Sequence, residues 1–223
     1  MTRHRMSHCA MLPLLVSILI GLPPAAGPAA GDTLELENAW VRVTRSVRAP
    51  HEHTAATEHL PRVVVYLTDA HERLADAGGG TYEVRQKAGT VAYQKAGTYR
   101  EENVSDRRVE AIVIDLKPGA PASPPITLDP VKLDPKYHTV PLENDRVRVL
   151  RTVLEPRVKS PLHEHPHYVV VYLTELHTTM EMADGRVVDN PRRPGEVAWR
   201  DALKHATENV GARTAVEIQV EVK

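Results

Sequence analysis

The chain repeats itself, and the repeat limits the folds open to it. LENAWVRVTRSV begins at Leu36 and LENDRVRVLRTV begins at Leu142, an offset of 106 residues. At the same offset VVVYLT at Val63 meets VVVYLT at Val169, and AGTVAY at Ala88 meets PGEVAW at Pro194. Asn103 meets Asn209, Ile112 meets Ile218 and Lys117 meets Lys223, with no gap between them. Chance similarity of two sheets would not hold one register over that length. The chain is therefore one unit written twice, and its fold must be one that half the chain can complete.

The unit reads as β-structure. Phe is absent from the 223 residues and aromatics are 4% of them, so Val, Leu and Ile must build the core, and these favour strands. VRVLRTV alternates apolar with polar residues, as a strand with one wet face does. VVVYLT is a continuous run, as expected of a strand covered on both faces. Asp184-Gly185 marks a hairpin turn, and Gly78 to Gly80 take its place in the first copy. No segment shows a long helical period. Each copy is expected to be a small all-β sandwich or barrel, an architecture that manages exposed edges. Six prolines between Lys117 and Lys136 exclude a helix or central strand there and predict a semi-rigid, extended linker.

The N-terminus has a different character. Arg3 and Arg5 precede the apolar run Met11 to Leu22, and small residues and prolines follow to Gly31. A basic start, a short apolar run and a small-residue end predict a secretory signal peptide over 1–31 and a periplasmic or secreted protein. The run falls short of the roughly 20 residues of a typical membrane span. Cys9 is the only cysteine and precedes the run, so neither lipid attachment nor a disulfide is expected of the remainder. The chain carries 28 Lys and Arg against 29 Asp and Glu. Removing Arg3 and Arg5 with the leader leaves 26 against 29, or −3, which does not suggest nucleic acid as a partner.

Two stretches spell HEH, at His51 to His53 and at His163 to His165. In the second, PRVKSPLHEHPHYVVVYL turns at Pro156 and continues into His163 and His165. RPGEVAWRDALKHATEN then turns at Pro194-Gly195 and continues into His205 and Asn209. In order and separation these two segments resemble the two motifs of the cupins, and GARTAVEIQVEVK resembles the last strand of small single-domain cupins. The resemblance covers most of the chain after the leader. It implies an all-β protein of two tandem jelly-roll barrels joined by the Pro-rich linker: an N-terminal barrel over 32–117, a linker over 118–136 and a C-terminal barrel over 137–223. Two departures stand out. Arg157 replaces the glycine usual after Pro156, and Val170 stands where the motif glutamate would be.

Residue chemistry supports a metal site independently of the resemblance. His163 and His165 are two apart, so on a strand they share a face. His205 is expected to reach them from a distant strand across the barrel. Three neutral imidazoles would leave open positions on one divalent transition metal ion, and Fe, Zn, Mn, Ni or Cu are the candidates. Val170 in place of a carboxylate moves the set away from a two-His-one-carboxylate triad. Some cupin thiol dioxygenases use three histidines, so iron stays open. His167 shares the strand parity, which leaves open a fourth ligand, an acid-base group or a solvated rim residue; it reads first as a rim or substrate-facing residue. Tyr172 and Trp199 read as barrel core or pocket wall, Glu164 as an outward surface charge, and Glu208 and Asn209 as turn-fixing residues.

The fixed offset sets Thr57, His59 and Tyr99 against His163, His165 and His205, so one ligand of three survives in the first copy. His51 and His53 fall opposite Arg157 and Lys159, in the loop before the ligand strand. HEHTAATE therefore reads as a decoy, and the first copy as a partner with a degenerate site. The leading functional expectation is an exported, metal-dependent enzyme, dioxygenase- or isomerase-like, acting on a small molecule at the C-terminal barrel. The alternative is a non-catalytic ligand-binding or structural module. Expected partners are a small-molecule ligand or substrate and, in the structural reading, a second copy in a homodimer; no stable membrane anchor is expected.

Overall fold

A computed structural model describes residues 31–223. The leader lies outside the described residues except for Gly31, which opens the first strand. No helix among the described residues is long and apolar enough to cross a membrane. The first copy forms β1 (Gly31–Glu37), β2 (Val41–Arg48), β3 (Thr57–His59), β4 (Arg62–Tyr66), β5 (Ala70–Asp76), β6 (Thr81–Gln86), β7 (Val91–Gln94), β8 (Gly97–Asn103) and β9 (Val109–Leu116). One helical turn, α1 (Pro130–Leu133), follows. The second copy forms β10 (His138–Glu143), β11 (Val147–Leu154), β12 (His163–His165), β13 (Tyr168–Tyr172), β14 (Leu176–Met182), β15 (Val187–Arg192), β16 (Val197–Arg200), β17 (Leu203–Asn209) and β18 (Ala215–Val222).

Each copy folds two antiparallel sheets against each other. The orders are β1-β2-β9-β4-β7 with β3-β8-β5-β6, and β10-β11-β18-β13-β16 with β12-β17-β14-β15. The second pair of orders repeats the first, as a duplication requires. The chain is thus an all-β protein of two tandem jelly-roll barrels.

The continuous apolar runs are explained by what lies on each face. Val63 and Val65 of β4 pack with Val169 and Val171 of β13 in one cluster that joins the barrels. Val64 and Tyr66, of the opposite parity, pack inside the first barrel, and Val170 and Tyr172 inside the second. Each Val or Ile buried in the shared cluster contributes about 1.5–3 kcal/mol relative to exposure. The contact is reciprocal. Arg45 Nη2 donates to the Gly195 carbonyl at 2.6 Å, and Arg151 Nη1 donates to the Gly89 carbonyl at 2.8 Å. Both glycines have positive φ, +79° and +81°, where a Cβ would also press on the partner's arginine or leucine.

The linker departs from expectation in one place. Pro130 opens the turn α1, where its missing N–H costs nothing, and the Asp129 carboxylate caps it by accepting from Val131 N at 3.0 Å. The prolines restrict the helix to that turn. Asp129 also pairs with Arg148 at 3.0 Å, tying the linker to the second barrel. Glu164, expected as a plain surface charge, is the other tie. Its Oε2 accepts from Thr127 N, Thr127 Oγ1 and Leu128 N at 2.8, 2.9 and 3.0 Å. Those backbone donors hold its carboxyl down at about 2.

Candidate metal centre

A loop and a strand pair build the site. Arg157 has φ 67°, the left-handed conformation a glycine takes freely, which accounts for the glycine of the motif. Its backbone N donates to the Asn209 carbonyl at 2.8 Å. Asn209 Nδ2 donates to the carbonyls of Leu154 and Arg213, both at 2.8 Å, so one buried amide pins two loops. Beyond that clamp β12 lies antiparallel to β17, with His163 directly opposite His205. His205 therefore comes from the adjacent strand and not from across the barrel; the long sequence separation is spanned by the β13–β16 excursion.

His163, His165 and His205 are 2%, 1% and 3% exposed, and one ligand atom from each lies within 4.8 Å of the other two. Each ring has a polar neighbour at Nδ1. His163 Nδ1 donates to the Pro161 carbonyl at 2.8 Å, and His165 Nδ1 lies 2.9 Å from Glu221 Oε1. His205 Nδ1 is 3.3 Å from Thr207 Oγ1. The Nε2 atoms of His165 and His205 are buried without any hydrogen-bond partner. Buried polar atoms are rarely left so, and an orphaned imidazole lone pair is what a metal ligand presents. Burial holds both imidazoles well below the usual histidine range, with the neighbouring histidines acting in the same direction, so they remain neutral. His163 is lowered by the same burial. Three neutral imidazoles with no thiolate or carboxylate among them fit a divalent transition metal.

A cavity of about 20 Å³ adjoins the triad, lined by His138, His163, His205, Thr178, Glu217 and Gln219 among others. That is room for about one water. Burial pushes the Glu217 carboxyl up to about 7, against the nearby Arg200. Glu221 is also raised to about 7 by burial, although Arg148 lies 3.7 Å from its Oε2. His138, Glu217 and Glu221 were not singled out by the sequence. On β18, Ile218, Val220 and Val222 face the other barrel. Its polar residues are turned inward instead.

The remaining expected residues lie off the triad. His167 stacks on Trp199 with ring centroids 5.9 Å apart, and both side chains bond Asp201 Oδ1, at 3.2 and 3.0 Å. Trp199 packs against the cluster between the barrels, so it is not a wall of the histidine cavity. Tyr172 is core, 2% exposed, and its hydroxyl accepts from Arg200 Nη2 at 3.3 Å.

The first barrel repeats the strand pair without the ligands. Thr57 lies opposite Tyr99, and His59 stacks on Tyr99 at 5.0 Å. Arg62, in the place of Tyr168, lies 3.6 Å from Glu101 and bonds Asp115 at 3.0 Å. Burial and this guanidinium lower the His59 pKa. His51 has φ 59° as Arg157 has φ 67°, and His53 bridges to Glu102 as Lys159 bridges to Glu208. These pairs are 106 residues apart, so both HEHTAATE histidines occupy the loop. His51 is exposed and meets Asp106 at 2.9 Å. The triad is the one group of its kind among the described residues.

Two jelly-roll barrels with a histidine cluster inside one of them define a bicupin architecture. The chain has the cupin fold in duplicate, and comparison with solved structures supports this. AerE from Microcystis aeruginosa superposes with a TM-score of 0.62 at 9% identity, over 82% of this chain and 88% of that one. A cupin 2 conserved barrel domain protein from Leptotrichia buccalis gives 0.55 at 11% identity, over 89% and 91%. An oxalate decarboxylase of Bacillus subtilis gives 0.59 at 13% identity, over 88% and 78%. No protein-family model and no curated protein sequence matches the chain.

Proposed function

We propose that the C-terminal barrel is the metal-dependent site of an enzyme acting on a small molecule. The observation that carries this reading is the buried triad with two orphaned Nε2 atoms. The ion would be held by His163, His165 and His205 and, when bound, would supply Lewis-acid activation or oxygen chemistry. The chain itself keeps the imidazoles neutral by burial and orients them through Pro161, Glu221 and Thr207. Glu217 is a carboxyl in the wall of the cavity raised to about 7, a value suited to exchanging a proton near neutral pH. Oxalate decarboxylases among the similar folds lend support to small-molecule chemistry in such a barrel. Elemental analysis of the purified protein, followed by oxygen-uptake screening with the native metal, tests the reading; a metal-free protein that takes up no added metal would end it.

A second reading has its own observation. A cavity of about 20 Å³ admits little more than an ion and a water, which favours a module that holds metal without turning over a substrate. Metal content without turnover across the substrate screen would select it. We also infer export, on the basic-apolar-small N-terminus. Mass spectrometry of the native protein should then find a chain beginning near Asp32, and an intact Met1 chain in the cytoplasm would contradict it.

A further inference from the structure

His138 is 2% exposed, and its Nε2, like those of His165 and His205 and of His59 in the first barrel, is a buried imidazole nitrogen without a partner; it lies in the wall of the cavity that adjoins the triad. We propose that His138 is a fourth imidazole ligand of the metal centre, an inference that rests on the triad being that centre. A relay of hydrogen bonds sets its tautomer. Gln219 Nε2 donates to Glu217 Oε1 at 2.9 Å, which turns the amide oxygen of Gln219 toward Thr152. The Thr152 hydroxyl donates to that oxygen at 3.2 Å. Having spent its proton there, the hydroxyl accepts from His138 Nδ1 at 3.0 Å. The lone pair of His138 is thereby left on Nε2, as ligation requires.

Position agrees with the tautomer. The His138 and His163 ring centroids are 5.3 Å apart, inside the 4.6 to 5.5 Å span of the triad's own pairs. His138 stands outside the group whose ligand atoms are all within 4.8 Å, so joining the shell requires a shift. It opens β10, an edge strand paired only with β11 and irregular between Thr139 and Leu142. The first copy supplies an internal comparison. Asp32, Ser46, Val113 and Ala111 stand where the second has His138, Thr152, Gln219 and Glu217. Triad and relay are both missing from the same barrel.

The test is a count of imidazoles. The full chain is loaded with Cu(II) and examined by pulsed EPR and X-ray absorption. Four imidazole nitrogens are expected in the wild type and three in His138→Gln, with copper affinity lower by about tenfold or more, as for loss of a supporting ligand. Thr152→Val retains the imidazole but frees its ring, and should weaken affinity by less. Three imidazoles in the wild type, with spectrum and affinity unchanged in His138→Gln, would overturn the assignment while leaving the triad intact. Absence of tight copper would remove both.

Discussion

His165 Nδ1 and Glu221 Oε1 lie 2.9 Å apart with both side chains buried, and this pair decides which nitrogen of His165 faces the triad. An ionised Glu221 can only accept, so it draws the proton to Nδ1 and leaves the lone pair on Nε2. A protonated Glu221 can donate instead, and Nε2 then carries the proton. Glu221→Gln should therefore lower metal affinity by about 10- to 100-fold with the fold retained. Wild-type affinity should also fall as pH drops through about 7, where Glu221 takes up its proton. Isothermal titration with zinc at several pH values reads both effects; equal affinity in the variant would remove Glu221 from the site.

Glu217 allows a test on the protein without metal. Its carboxyl titrates near 4.5 when unfolded and at about 7 when folded. Between these values the folded chain binds the extra proton, so this group's contribution to stability falls as pH rises from 4.5 to 7 and is flat beyond. Glu217→Gln removes that cost, on the order of 3 kcal/mol for a full shift of this size. Relative to wild type, the variant should gain stability across that window in urea denaturation. A difference between the two that is independent of pH would show that Glu217 is not held as described.

The fold and the ligands were legible for different reasons. The gapless offset and the VVVYLT runs gave two barrels because a strand buried on both faces needs a second layer outside it, and β4 and β13 supply that layer to each other. His163 and His165 were legible because strand parity is local. The supporting groups were not. Glu217, Gln219 and Glu221 lie on a strand whose apolar face is turned outward to the other barrel, which reverses the usual inside and outside. His138 joins them through a pairing with β11 that no sequence spacing announces. Likewise His167 shares the parity of His163, but β12 ends at His165 and the chain turns it onto Trp199.

The first barrel should resist restoration of its site. Thr57→His with Tyr99→His would complete a set of three imidazoles with His59, yet Arg62 places a guanidinium near that ring. A second tight metal should appear only when Arg62 is also replaced by Tyr, the residue at the equivalent position of the second barrel. Metal-to-protein ratios of about one for the double variant and about two for the triple variant are expected. A ratio of two without the Arg62 change would mean that the charge is not the obstacle.

The two HEH stretches can be set against each other directly. β12 carries His163 and His165 opposite His205, whereas His51 and His53 occupy the loop that Arg157 and Lys159 occupy in the second barrel. The protein should bind about one tight metal per chain. His205→Ala should lower the affinity for it by about tenfold or more, because it removes the ligand that faces His163 from β17. Replacing His51 and His53 together with Ala should leave affinity within about twofold, and stability within about 0.5 kcal/mol, as for surface positions. Both variants should fold, since the barrels rest on the Val and Ile cluster between them. If metal affinity falls with His51 and His53 and survives loss of His205, then the offset does not locate the site and HEHTAATE is the metal-binding stretch.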